Sequence, residues 1–200
     1  MTKADTGLVN ERRWNQREIV TIAALGVVFG VLYLAWVQVW LVAQTIIGPI
    51  SLDLMFGFWC VVSVVAAYIV RKPGAAFGAE MVAAIAEVLT GNPAGLILIL
   101  TGAVQGAGAE LPFALTRWRD YSLKILLAAG ACAAVFSFAY TWIRFGYGRL
   151  DTGLLIAMFV LRVASGMLLA GYLGRVIAEA LHRTGVLAGF AIDTEEPRRT

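Results

Sequence analysis

The stretch that decides the fold runs from Gly78 to Phe113 and reads GAEMVAAIAEVLTGNPAGLILILTGAVQGAGAELPF. It is apolar enough for a bilayer, yet it carries Glu80, Glu87, Gln105 and Glu110 among glycines. A carboxylate in hydrocarbon costs at least ~2.5–3.5 kcal/mol on insertion scales. Three of them require a polar partner, a wet cavity or a ligand. The reading is therefore a membrane protein with a polar interior, and that interior is where function is sought.

The rest of the chain agrees. Its 200 residues are 60% apolar and only 14% charged, where a soluble domain has about 25% charged. The charges sit in short blocks between long apolar runs at roughly 19–42, 51–70, 75–90, 95–116, 122–144 and 152–175. This predicts an all-α membrane protein, a bundle of about six transmembrane helices forming a single domain over 1–200. The third run is shorter than the ~20 residues that cross a bilayer squarely. It is bounded by two turn signals, Arg71-Lys72-Pro73-Gly74 and Gly91-Asn92-Pro93-Ala94-Gly95.

Basic residues set the expected orientation. With a cytoplasmic N-terminus, the inner side holds Lys3, Arg12, Arg13, Arg17, Arg71, Lys72, Arg117, Arg119, Lys124, Arg175, Arg183, Arg198 and Arg199, which is 13 of the 16 Lys and Arg. The outer loops hold Arg144 and Arg149, and Arg162 lies within the last span. Both termini are thus expected in the cytoplasm, with 1–18 a charged lead-in anchored by Trp14. The polar tail 188–200 is expected to fray. The net charge of +3 reflects topology rather than nucleic-acid binding. No cleavable signal peptide is expected, because the first 18 residues are polar. Cys60 and Cys132 lie in apolar runs without metal-ligand spacing and are read as packing residues.

Glu80 and Glu87 stand two helical turns apart, on one face and about 10 Å apart along the axis. In this topology Glu87 is near the outer end. Gly102, Gly106 and Glu110 recur every four residues, as do Arg162, Gly166, Ala170 and Gly174. Such small-residue stripes suit close helix contact. Glu80, Glu110 and Arg162 are therefore taken as structural intramembrane charges, with Arg162 expected to pair with one of the glutamates or to reach up toward Gln105 or Glu87. Trp36 and Trp40 bracket Gln38 on the first span, Phe56 and Trp59 begin the second, and Tyr140 and Trp142 end the fifth. They form either an interfacial belt or a stacking cage for a planar organic ring, neutral or cationic. No Walker A sequence, no Gly-x-Ser-x-Gly elbow and no intramembrane histidine is present; His182, the one histidine, is at the cytoplasmic end. Neither ATP hydrolysis nor an intramembrane catalytic site is expected, and no cofactor or metal is implied.

Three segments carry a family resemblance: Arg71-Lys72-Pro73-Gly74-Ala75-Ala76, Glu80…Glu87-x-x-x-Gly91-Asn92, and Gln105-Gly106-x-Gly108-x-Glu110-x-x-Phe113. Together they resemble the YkoE-type S components of energy-coupling factor (ECF) vitamin transporters, over roughly Trp14–Leu181. The resemblance implies a non-enzymatic, multi-pass subunit of the bacterial cell membrane. Such a subunit binds thiamin or its hydroxymethylpyrimidine precursor from the outer face. It joins a transmembrane coupling subunit and two ATP-binding cassette domains, toppling in the membrane as it does so. A small-residue contact on the first span implies Ala23, Gly26 and Gly30 as the docking face for the coupling subunit. In this reading Glu87 meets the cation or the pyrimidine amine, Trp36, Trp40 and Trp59 stack, and Gln38, Asn92 and Gln105 hydrogen-bond. Tyr140 and Trp142 complete the wall, and the loop 43–52 acts as a lid. The alternatives are an ion- or proton-coupled secondary carrier relaying through Glu80 and Glu87, and a scaffold subunit with purely structural charges.

Overall fold

Asn15 opens the first helix. Its side chain accepts from Arg17 N, and its own N–H donates to Glu18 Oε2, a capping box that satisfies two groups at the helix start. The computed structural model describes residues 13–194, so the expectations for Lys3, Arg12, Arg198 and Arg199 lie outside the described residues. The first span is α1 (Gln16–Ile47). The second is built from α2 (Ile50–Met55), a 3₁₀ segment (Phe56–Cys60) and α3 (Val61–Val70). The third, fourth and fifth are α4 (Ala75–Leu89), α5 (Ile97–Leu115) and α6 (Leu123–Phe145). The sixth joins α7 (Thr152–Ser165) and α8 (Leu173–Arg183) through a π-helical stretch, Gly166–Tyr172. No strand occurs among the described residues. Five of the spans are long and apolar enough to cross a membrane. The third, α4, is the short one, as its sequence indicates, and it lies between α1 and α5 with its alanine-rich face buried.

Small residues let these helices approach. A Cβ at Gly30 would come within 2.7 Å of Ala83 O, and one at Gly130 within 2.0 Å of Gly166 O. Neither position has room for a larger side chain. Gly166, Ala170 and Gly174 do face the bundle interior, against α6 and α3. Gly102 and Gly106 face α4. The 3₁₀ break in the second span serves a similar contact: Gly57 N donates to Ser165 Oγ at 2.9 Å, tying the second span to the sixth.

Three expectations change. Gly26 and Gly30 are buried against Val82, Ala83 and Ala86 of α4, so these two glycines serve contact within the bundle. Only Ala23 of the expected docking face is exposed. The lid expected at 43–52 is not a loop: α1 continues to Ile47, Gly48 (φ +68°) and Pro49 turn the chain, and α2 starts at Ile50. Finally, the start of the tail is docked rather than frayed. Leu187, Phe190 and Ile192 are buried, Arg17 lies over the Phe190 ring at 4.8 Å, and His182 Nε2 meets Asp193 Oδ1 at 2.9 Å. That contact and a bond from Gly189 N hold the exposed Asp193 carboxyl below its ordinary range.

These contacts define two ends. At one, Lys72 Nζ bonds Glu18 Oε2 and Arg13 O, and the described N- and C-terminal segments meet through Arg17 and Phe190. At the other lie the turn at Gly48-Pro49, the loop at Gly91–Gly95 and the 3₁₀ turn Tyr147–Arg149.

Candidate functional site

A cavity of about 590 Å³ opens at this second end. All three connections contribute to its wall: Pro49, Asn92 with Pro93 and Ala94, and Phe145 with Tyr147. Such a volume falls within the range of small-molecule sites.

The outer part is held by the α4–α5 loop. Asn92 N donates to Glu87 O at 3.0 Å and its Nδ2 donates to Glu87 Oε1 at 2.8 Å, while its Oδ1 accepts from Ala94 N. The loop thereby orients the Glu87 carboxylate, which is 5% exposed. Gly91, at φ +90°, supplies the turn that brings Asn92 back onto its own helix. Two turns deeper Glu80 also lines the cavity, accepting a 2.6 Å hydrogen bond from Ser63 Oγ. Gln105 Nε2 donates to Ser137 Oγ on the facing wall at 3.3 Å.

The aromatic wall comes from the first two spans. Trp40 and Trp59 meet edge to face, with ring centroids 6.2 Å apart, and Phe56 lies beside them on the wall. Trp40 Nε1 is buried without a hydrogen-bond partner among the described residues. At the rim, the Arg144 guanidinium lies over the Phe145 ring at 5.0 Å.

The third polar cluster was not legible as such. Arg162 is fully buried and pairs with Asp53, Nε to Oδ1 at 2.5 Å, rather than with any glutamate. Its Nη1 donates to Thr141 Oγ1 at 2.7 Å, and Phe56 and Phe138 present their rings to the guanidinium at 5.4 and 5.2 Å. Arg162 and Thr141 both line the cavity. The sequence holds a signal for the missing partner: Asp53 is the only charged residue within 51–70. An intramembrane aspartate in a chain with an intramembrane arginine is a pairing candidate.

Of the expected ligand residues, Glu87, Trp40, Trp59, Asn92 and Gln105 face the cavity together. Trp36, Gln38, Tyr140 and Trp142 do not line it. Trp36 packs on Phe58 (4.5 Å between centroids) and donates to Met55 O, because a helical residue four positions from Trp40 is still rotated about 40° from it. Gln38 is on the exposed face of α1. Tyr140 stands behind the wall, reached through Thr101 at 3.4 Å. Trp142 lies in a separate apolar groove with Phe138 and Phe159. Of the expected structural charges, Glu110 is far from the cavity and caps α4, whereas Glu80 and Arg162 are part of its lining.

Among known proteins, residues 17–136 match the family model described as "ABC-type cobalt transport system, permease component". A protein of Bacillus subtilis (strain 168), named as an HMP/thiamine permease protein, YkoE, is 44% identical over 184 residues, covering 92% of each chain. A solved S-component of an ECF transporter superposes with a TM-score of 0.88 at 44% identity, over 90% of this chain and 91% of that one.

Proposed function

Because this chain belongs to the YkoE family of ECF S components, the non-enzymatic substrate-binding subunits of multi-pass membrane transporters, we propose that its cavity binds thiamin or its hydroxymethylpyrimidine precursor from the outer face of the cell membrane. The observation that carries the reading is the joining of an oriented carboxylate, Glu87 on Asn92, to a Trp40–Trp59 wall in one cavity. A planar cationic or amino-bearing ring needs those groups: aromatic faces for stacking and cation–π attraction, and a desolvated carboxylate to accept from the amine or neutralise the cation. Asn92 engages one carboxylate oxygen of Glu87, leaving the other for the ligand. Among the described residues no three His, Cys, Asp or Glu side chains come together as metal ligands, and the wall suits an organic molecule.

The distribution of charge supports the orientation. Arg71, Lys72, Arg117, Arg119, Lys124, Arg175 and Arg183 belong to the end opposite the cavity, against Arg144 and Arg149 at the cavity end. The positive-inside rule puts the cavity outside and both termini in the cytoplasm. ECF partners then supply the ATP hydrolysis. Of the expected docking residues, Ala23 and its exposed neighbours on α1 remain the surface offered to the coupling subunit.

The test is calorimetry with the purified chain, titrated with thiamin and with hydroxymethylpyrimidine, together with mass spectrometry of co-purifying small molecules. Tight one-to-one binding of either compound is expected. Binding of neither overturns the ligand assignment. Proton-driven uptake by the chain alone in liposomes would favour a Glu80–Glu87 relay instead.

A further inference from the structure

Arg162 is fully buried, lines the cavity, and has a nitrogen, Nη2, with no hydrogen-bond partner among the described residues. Its other groups are engaged, Nε by Asp53 and Nη1 by Thr141, and the Tyr147 hydroxyl faces the same guanidinium from the cavity wall. Asp53 Oδ2, on the same ion pair, is likewise buried and unpartnered. A donor left unmade in such a place carries its full desolvation penalty, larger for a charged group. The ion pair therefore has two hydrogen-bonding positions to offer something polar in the cavity beside it.

We infer that Arg162 forms a second, neutral subsite which accepts the alcohol end of the ligand and discriminates against its phosphate ester. This rests on the reading of the cavity given above. Charge is the basis of the discrimination. Arg162 is already neutralised by Asp53, and Glu80 and Glu87 line the same cavity. A hydroxyl oxygen accepts from Nη2 without adding charge. A phosphate adds about −1.5 to −2 at neutral pH to a cavity whose only other lining cation among the described residues, Arg144, is at the rim. Both candidate ligands carry one primary alcohol, so either can place an acceptor at Arg162 while its ring meets Glu87 and the tryptophans. Arg162 is then a specificity-determining ligand contact, and Asp53 is a positioning residue that also sets the net charge of the subsite.

Calorimetry with the purified full chain tests this, using each alcohol, its phosphate ester and its deoxy analogue. The wild type is expected to bind the alcohol at least tenfold more tightly than the ester or the deoxy analogue. Asp53→Asn, which keeps the shape of the pair and removes its negative charge, is expected to narrow the alcohol-to-ester ratio tenfold or more. Equal binding of alcohol, ester and deoxy analogue by the wild type overturns the inference, and needs no variant to fold. So does an unchanged ratio in a folded Asp53→Asn. Failure of the wild type to bind either alcohol is a different result: it overturns the ligand assignment and this inference with it.

Discussion

Glu87 and Glu110 are both glutamates in one hairpin of helices, α4 and α5, and they do opposite work. Glu110 accepts from Gly74 N, Ala76 N and Phe77 N at the start of α4 (2.8, 3.0 and 3.2 Å), and from Trp118 Nε1 at 2.6 Å. Its carboxylate is saturated by the N–H groups and positive dipole end of the helix that the turn Arg71–Gly74 starts. Glu87 is held by a single side-chain donor, Asn92, and faces a cavity. A carboxylate whose acceptors are all used, like that of the half-buried Glu110, holds the fold; one left with spare capacity beside a cavity is open to a further donor. With the cavity read as proposed, the two ends of the α4–α5 hairpin separate stability from binding.

Glu110→Ala breaks the first side of this contrast. It strands the α4 N-terminus and the Trp118 indole, and it is expected to cost about 3 kcal/mol of stability. A thermal melt in detergent should fall by several degrees, while the folded fraction keeps its ligand affinity. A loss of affinity with an unchanged melt would dissolve the contrast. Glu87→Gln sharpens the other side: it keeps the shape and the contact to Asn92 and removes the charge. Ligand affinity should drop about 30-fold, equivalent to about 2 kcal/mol, with little change in melting temperature. Calorimetry showing unchanged affinity would remove Glu87 from the site. The smallest effects come from the aromatic residues. Trp40→Leu should weaken binding by about fivefold through lost stacking, and Trp142→Leu, outside the cavity, should leave it unchanged. Tryptophan fluorescence quenching on titration distinguishes them, and equal losses would return Trp142 to the site.

Much of the architecture was legible in the sequence. The six apolar runs, the short third one, the turns at Arg71–Gly74 and Gly91–Gly95, and the burial of the Arg162–Gly174 stripe follow from helix length, turn chemistry and the cost of a small-sided face in lipid. The site was legible only in part. Glu87 and Asn92 are five residues apart, and their contact is local geometry. Trp36 and Trp40 share a helical face in projection, yet only Trp40 enters the cavity, because the α1 crossing decides which edge of that face meets the interior. Gly26 and Gly30 advertise a close contact without saying with whom, and α4 took it.

The sequence by itself determined that this is a membrane bundle with costly charges that must be satisfied, since composition and hydropathy act through length and desolvation alone. It also carried the family likeness that names the subunit class. Only the tertiary structure decided who satisfies whom. Arg162 and Asp53 stand 109 residues apart and meet because the second and sixth spans cross at Gly57 and Ser165. Partner choice in a low-dielectric interior depends on distances of a few ångströms, and those are set by helix crossings that no local pattern encodes.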